Sequence, residues 1–486
     1  MKNLVTMLLL SLMCGCTYDI YEEPLATNYP DNVSKIMTDN CATSGCHNTI
    51  SKNGAAGLDL SSWSVMFNGT SNGAVAIPYR DDFSTLLYFT NVDSALGLVV
   101  QPTMPVNKTP LSATDYKVLR DWIKNGAPSK NGSNMFPEKA DRRKYYVVNQ
   151  GCDVVSVFDA EKRVVMRMVD IGQNPGATPP ESPHNIRVTP DGKYWVTVFL
   201  NADIVQVYST VNDQLVKTIP IGNGVAGGWN TITLSKDSKK GYAVDYNGGR
   251  VAFVDIDAGT SQTYGPFPST GASNNLHGSA LNATDDTLYV TYQESSKVVK
   301  IPISSPSDYD DVNINPLGPD FSTVPLKPHE IVFSPDYSKY FVTCQEVNQV
   351  RVFDAHTDTL IKVIPVGVFP LEFGMAGAQN ILFVTNQEDT YFPNMRGSVS
   401  AIDMVGLTEI KRIKVGWQPH GITVDPDKNC VLVANRNVAG GPAPHHASSC
   451  AGKNGSLSSI NIATLETDLT FNPELSVDPY AVTVKR

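Results

Sequence analysis

The chain has 486 residues, 41% hydrophobic and 18% charged, with a net charge of −10. That is length for two or three domains and the composition of a soluble protein with a large core. The acidic balance and the lack of any long Lys/Arg cluster argue against a nucleic-acid partner, while 36 glycines and 32 prolines, well spread, predict many turns and short strands.

Residues 1–16, "MKNLVTMLLLSLMCGC", carry one positive charge at Lys2 and an apolar run from Leu4 to Met13. This is the pattern of a secretory signal peptide, too short for a comfortable membrane span. Met13-Cys14-Gly15-Cys16 resembles a bacterial lipobox, which implies lipidation at Cys16; a plain cleaved signal is the alternative. Residues 17–30 read as a tether, and its acids Asp19, Glu22 and Glu23 are similar to the surface-export tethers of Bacteroidota lipoproteins. The expected location is the cell envelope, lipid-anchored, on the periplasmic side or at the outer-membrane surface. Disulfides and covalent haem are both permitted there.

Residues 31–128 form a first unit. Its stretch "DNCATSGCHNTI" (39–50) places Cys41 and Cys46 before His47. The usual haem-attachment motif is C-x-x-C-H, so haem attachment, a disulfide and a metal clip are all open. Zinc lacks a second ligand pair at the expected spacing. A c-type haem needs two thiols, an adjacent histidine and a second axial ligand. Met104, between prolines in "QPTMPVNKTPLSATDYKVLRDWIKNGAP" (101–128), is the candidate, since His47 is the sole histidine of this unit. The segment ends in a predicted helix with Ser112 as N-cap, Asp115 three residues on and Gly126 as stop. Val118, Leu119, Trp122 and Ile123 make its apolar face. With "GLDLSS" (57–62), the unit resembles the cytochrome c domains widespread in Planctomycetes and Bacteroidota proteins. The resemblance implies a small all-α fold holding one haem c, attached at Cys41 and Cys46 and ligated by His47 and Met104. Such ligation implies a potential on the high side, suited to passing single electrons. The departure from the family is the C-x4-C-H spacing, read as a two-residue bulge on the attachment loop.

Residues 129–143 read as a polar linker. From Lys144 to Arg486 the texture becomes alternating, rich in Val, Ile, Thr and Tyr, with turn residues every 8–12 positions. Six segments align: 183–198, 229–244, 276–291, 328–343, 370–385 and 419–434. Each reads strand, Asp/Gly-type turn, strand, and is followed by a third strand such as "QVRVFDA". A fourth often ends in Val/Ile-Gly, as in "KTIPIG" (217–222). Four strands over roughly 45–50 residues make one propeller blade. The region opens mid-repeat at "KYYVVNQGCDVVSVFDA", and "DPYAVTVKR" (478–486) matches the missing start. The C-terminal strand is therefore expected to close a ring of seven blades, which removes open sheet edges. An open sandwich or a ring of six or eight blades is the alternative. The repeats resemble the YVTN family of extracytoplasmic seven-bladed propellers, a likeness that fixes fold better than function.

His184, His277, His329 and His420 occupy the same position, the second residue of a blade's first strand. First strands line a propeller's channel, so these four are expected to form a ring at one mouth. The long last-blade loop (435–456) adds His445 and His446 on the same face. Imidazole suits copper and other transition metals, so the six make a candidate metal or cofactor site. Copying of one ancestral histidine by duplication is the competing reading. Histidine-lined propellers resemble nitrous-oxide reductase and the d-type haem domain of cytochrome cd-type nitrite reductases, without a matching ligand set. His356 is expected in an outer turn. Cys430 and Cys450, flanking the loop, are a candidate disulfide; Cys152 and Cys344 are not expected to pair.

Three functions follow as expectations. The first is a haem-c electron-transfer lipoprotein whose propeller docks a redox partner or quinol-chain component. The second is a redox enzyme with a metal or second cofactor at the histidines. The third is a non-catalytic ligand- or protein-binding propeller.

Overall fold

A computed structural model describes residues 27–267, 275–316, 325–448 and 450–486. The expected signal peptide and the lipidation site Cys16 lie outside the described residues. Among them, no helix is long and apolar enough to cross a membrane.

Residues 144–486 form a seven-bladed β-propeller, with seven antiparallel sheets among the described residues. Blade 1 has the order Pro479–Lys485, Lys144–Asn149, Val154–Asp159, Val164–Asp170. The C-terminal strand is thus its innermost strand, paired from Lys144↔Lys485 to Asn149↔Pro479. Blades 2 to 7 begin at Pro183, Trp229, Leu276, Pro328, Pro370 and Pro419. The innermost strand of each packs on that of the next, all the way round. In blade 7 the outer position is split: Glu466–Thr467 and Glu474–Val477 both pair with Asn454–Asn461.

One turn chemistry recurs between first and second strands. In blades 2, 3 and 5 the hydroxyls of Thr189, Ser235 and Ser334 donate to Asp191, Asp237 and Asp336 at 2.6–2.7 Å. Each carboxylate also accepts the backbone N–H two residues on. Such side-chain caps hold a tight turn where the backbone cannot satisfy itself. Apolar side chains of facing sheets fill the space between blades, as Val196, Val205, Ile232 and Ala243 do between blades 2 and 3.

The N-terminal residues carry four α-helices among those described: α1 (Asp31–Ile36), α2 (Trp63–Met66), α3 (Thr85–Thr90) and α4 (Ala113–Lys124). Helix α4 begins as its sequence predicts. Ser112 Oγ accepts the Asp115 N–H at 3.0 Å, and Tyr116, Leu119, Trp122 and Ile123 are buried. It ends at Gly126, whose φ of +91° suits glycine and whose Cβ position lies 2.5 Å from the Tyr79 ring. Trp63 and Trp122 then donate to the carbonyls of Ala127 and Pro128, at 2.8 and 2.9 Å.

This helical unit does not stand apart as the sequence suggested. Val33, Met37, Trp63, Leu119 and Ile123 belong to one continuous core with Tyr146, Val155, Met166 and Trp195 of blades 1 and 2. Phe136, in the expected linker, is buried edge-on against Phe67. Arg80 bonds the Met168 carbonyl at 3.1 Å and pairs with Asp170 at 3.0 Å, and the Asn472 and Glu474 N–H groups donate to the Ser71 and Asn72 carbonyls. The two parts thus share one apolar core instead of being joined only through a linker.

Candidate redox cavity and channel cluster

Helix α1 runs on into a π-turn, Met37–Cys41, and the chain then doubles back. The Cys46 N–H donates to Thr43 O at 3.0 Å and the His47 N–H to Cys41 O at 3.1 Å, with Gly45 at φ +81°. The four residues between the cysteines are absorbed by this turn. His47 O accepts the Leu60 N–H at 2.8 Å, which fixes the exit of the loop. Cys41 and Cys46 are both free thiols, so no disulfide joins them.

Cys41, Cys46 and His47 line a cavity of about 580 Å³ together with Met104. That size falls within the roughly 300–1,000 Å³ of a small-molecule or cofactor site. Leu58, Leu60, Val75, Leu86 and Phe89 supply apolar wall. The Met104 N–H donates to Phe89 O at 2.7 Å, which pins its segment to the end of α3. Burial lowers the pKa of His47 against the pull of the Leu58 and Ala55 carbonyls, favouring the neutral imidazole that ligates metals. Its Nδ1 is buried without a hydrogen-bond partner. Burial pushes the Cys41 thiol up to about 11. Two unpaired thiols, an adjacent imidazole, a thioether and an apolar wall fit a c-type haem.

His445 and His446 line this same cavity, not the channel mouth where the sequence placed them. Both backbone N–H groups donate to the Glu474 carboxylate, at 2.7 and 2.9 Å, and the His446 ring stands edge-on to Phe89 at 5.7 Å. Burial pushes Glu474 up, but its bonds to His446 and Asn454 outweigh that and hold it below the usual carboxylate range. The loop is tied down by a disulfide between Cys152 and Cys450. This corrects the expected Cys430–Cys450 pair. Cys430 is free and begins the strand whose other end, Asn435, opens the loop. Five residues at about 3.3 Å each put it some 17 Å away. Closure of the ring instead brings Cys152, in a turn of blade 1, beside blade 7. Cys344 is free and buried, and His356 is exposed in its outer turn, as expected.

The other four histidines do converge, but inside the channel rather than at an open mouth: His184 is 7% exposed and His277, His329 and His420 are 3–4%. Ring centroids lie 3.8 Å apart for His277–His329, 5.6 Å for His329–His420 and 6.4 Å for His184–His420. Tyr480 of the C-terminal strand stacks against His184 and His420 at 4.0 and 3.7 Å. Threonines of neighbouring blades hold their backbones: Thr231 donates to His277 O, Thr291 to His329 O and Thr385 to His420 O, at 2.7–3.0 Å. Burial pushes His277 down to about 4 and the other three well below the ordinary range. Arg436, paired with Asp478 at 2.6 Å, adds to this at His420 and His184.

Sequence reasoning missed two members of this cluster. Glu330 and Glu372 follow the repeat position itself, and both are buried with their pKa values raised, first by burial; Arg187 opposes the rise. His329 Nε2 lies 3.7 Å from Glu372 Oε1. A carboxylate in a largely apolar inner strand, next to the repeated position, was the signal available.

No family model matches the chain, and no curated protein matches it. Solved structures do. A protein of unknown function from Desulfotomaculum acetoxidans is similar over 70% of this chain and 98% of its own, at 12% identity and a TM-score of 0.50. A protein from Bacteroides fragilis, provisionally named a 6-phosphogluconolactonase, is similar over 72% and 99%, at 14% and 0.50. The dihydro-heme d1 dehydrogenase NirN, solved in complex with DHE, covers 86% and 94%, at 13% and 0.48. At these identities the likeness to the first two is one of fold, and it agrees with the propeller seen here.

Proposed function

We propose that this protein transfers single electrons through a c-type haem seated between the N-terminal unit and blade 7, with the propeller as the docking surface for a redox partner. The observation that carries this reading is the convergence of Cys41, Cys46, His47 and Met104 on one apolar cavity. Cys41 and Cys46 would hold the group by thioether links, His47 and Met104 would be the axial ligands. When bound, such a haem supplies a one-electron iron couple whose potential thioether ligation raises. The protein's own part is to hold His47 neutral, to exclude water with Leu58, Leu86 and Phe89, and to close the cavity with the His445–His446 loop. The Cys152–Cys450 disulfide supports an oxidising compartment, in keeping with a cell-envelope lipoprotein anchored at Cys16. An absorption spectrum of the purified chain, before and after Cys41→Ala and Cys46→Ala, tests the reading.

A redox enzyme is the second reading. It is favoured by the buried His329–Glu372–His420 group, whose ligand atoms all lie within 4.8 Å of one another.

A further inference from the structure

We infer that His329, His420 and Glu372 form a binding site for one divalent transition-metal ion, inside the propeller channel and separate from the N-terminal cavity. Among the described residues this is the one group of three His, Cys, Asp or Glu side chains whose ligand atoms approach so closely, and all three are buried. Two ligands of one ion, each about 2.0–2.2 Å from it, can lie up to about 4.2 Å apart. The 3.7 Å between His329 Nε2 and Glu372 Oε1 spans that geometry without rearrangement. His420 completes the set with a small side-chain movement.

A second observation is independent of the spacing. His329 Nε2 and His420 Nδ1 are buried and have no hydrogen-bond partner, and the same holds for Nδ1 of His184 and of His277. A buried polar atom left without a partner is costly, and four such nitrogens on the inner strands of the ring call for partners. The backbones of His277, His329 and His420 are fixed by the threonine bonds from adjacent blades. The site is therefore built by the ring itself and does not depend on a mobile loop.

Two imidazoles and one carboxylate suit Zn²⁺, Fe²⁺, Co²⁺ or Cu²⁺ rather than Mg²⁺ or Ca²⁺, which prefer all-oxygen shells. His277 and His184 stand beside the set, with ring centroids 3.8 Å from His329 and 6.4 Å from His420, so a further imidazole or a small ligand could complete the shell.

The test is equilibrium binding of Zn²⁺ and Co²⁺ to the full chain after chelator treatment, with metal content by mass spectrometry and the visible absorption of bound Co²⁺ as readouts. The same titration on a Cys41→Ala/Cys46→Ala chain separates this site from the proposed haem. The expected result is one ion per chain in both backgrounds. Affinity should fall at least tenfold in Glu372→Gln and in His420→Ala, and stay unchanged in His356→Ala. Glu372→Gln is nearly isosteric, so it reports binding even where a histidine variant folds poorly. Wild-type protein that takes up no ion, or Glu372→Gln and His420→Ala chains that bind as wild type does, would overturn the assignment and leave water as the partner of the orphaned nitrogens.

Discussion

Cys450, in the long loop of blade 7, is bonded to Cys152, in a turn of blade 1, at a sequence separation of 298 and with Cα atoms 5.6 Å apart. This bond staples the two blades at which the ring closes and holds the loop that carries His445 and His446 over the cavity. Reduction, or Cys450→Ser, is expected to destabilise the fold by about 2–4 kcal/mol. Thermal melts with and without reductant, beside a non-reducing peptide map that links Cys152 to Cys450, check this.

A second anchor near the closure is polar. Lys144 is buried, bonds Asp213 at 2.8 Å and donates to the Thr210 carbonyl at 2.7 Å. Asp213 also accepts from Tyr146 and Arg167. Asp213→Ala strands the Lys144 ammonium without its partner, a change expected to cost about 3–5 kcal/mol. Urea unfolding measures it, and Asp213→Asn should fall between the variant and wild type.

Acid should weaken the propeller through its channel. Each of the four histidines takes a proton near pH 6.5 in the unfolded chain, whereas in the fold burial holds His277 to about 4 and the others well below the ordinary imidazole range. Below pH 6.5 the unfolded state binds more protons. The stability from these groups is whole above pH 6.5 and is lost as pH falls toward 4, at up to about 1.4 kcal/mol per pH unit per histidine. Glu330 and Glu372, raised by burial, run the other way above their unfolded value of 4.5, but two carboxyls offset only part of four imidazoles. Denaturant midpoints from pH 7.5 to 5 should fall, and less steeply in His277→Asn.

Much of this was legible because it repeats. One histidine position recurring in four blades located the channel, and "DPYAVTVKR" located the closing strand. The cap at Ser112 was equally plain, because it is local. What the sequence hid is what closure creates. Cys152 neighbours Cys450 only once the first and last blades meet, and His445 and His446 turn away from the channel because the helical unit covers that flank of the ring. Glu330 and Glu372 escaped notice because such a residue stands beside the repeated position and not at it. Its burial depends on the neighbouring blade: Gly278 of blade 4 runs so close to His329 and Glu330 of blade 5 that a Cβ placed there would collide with their backbone.

Besides His47, the cavity is lined by three side chains that could be the second ligand of the proposed haem, Met104, His445 and His446. Met104→Leu is expected to lower the reduction potential and abolish the sulfur-to-iron charge-transfer absorption of the oxidised protein, while His446→Ala leaves that absorption intact. The opposite pattern, read by redox titration and optical spectroscopy, would assign His446 as the ligand.

The most direct measurement is the absorption spectrum of the purified protein in alkaline pyridine, taken after acid–acetone extraction, together with the mass of the intact chain. The account predicts one haem per chain that stays with the polypeptide, matched by a mass increase that Cys41→Ala/Cys46→Ala abolishes. A chain with no retained haem, whose peptide map shows Cys41 joined to Cys46, would contradict it.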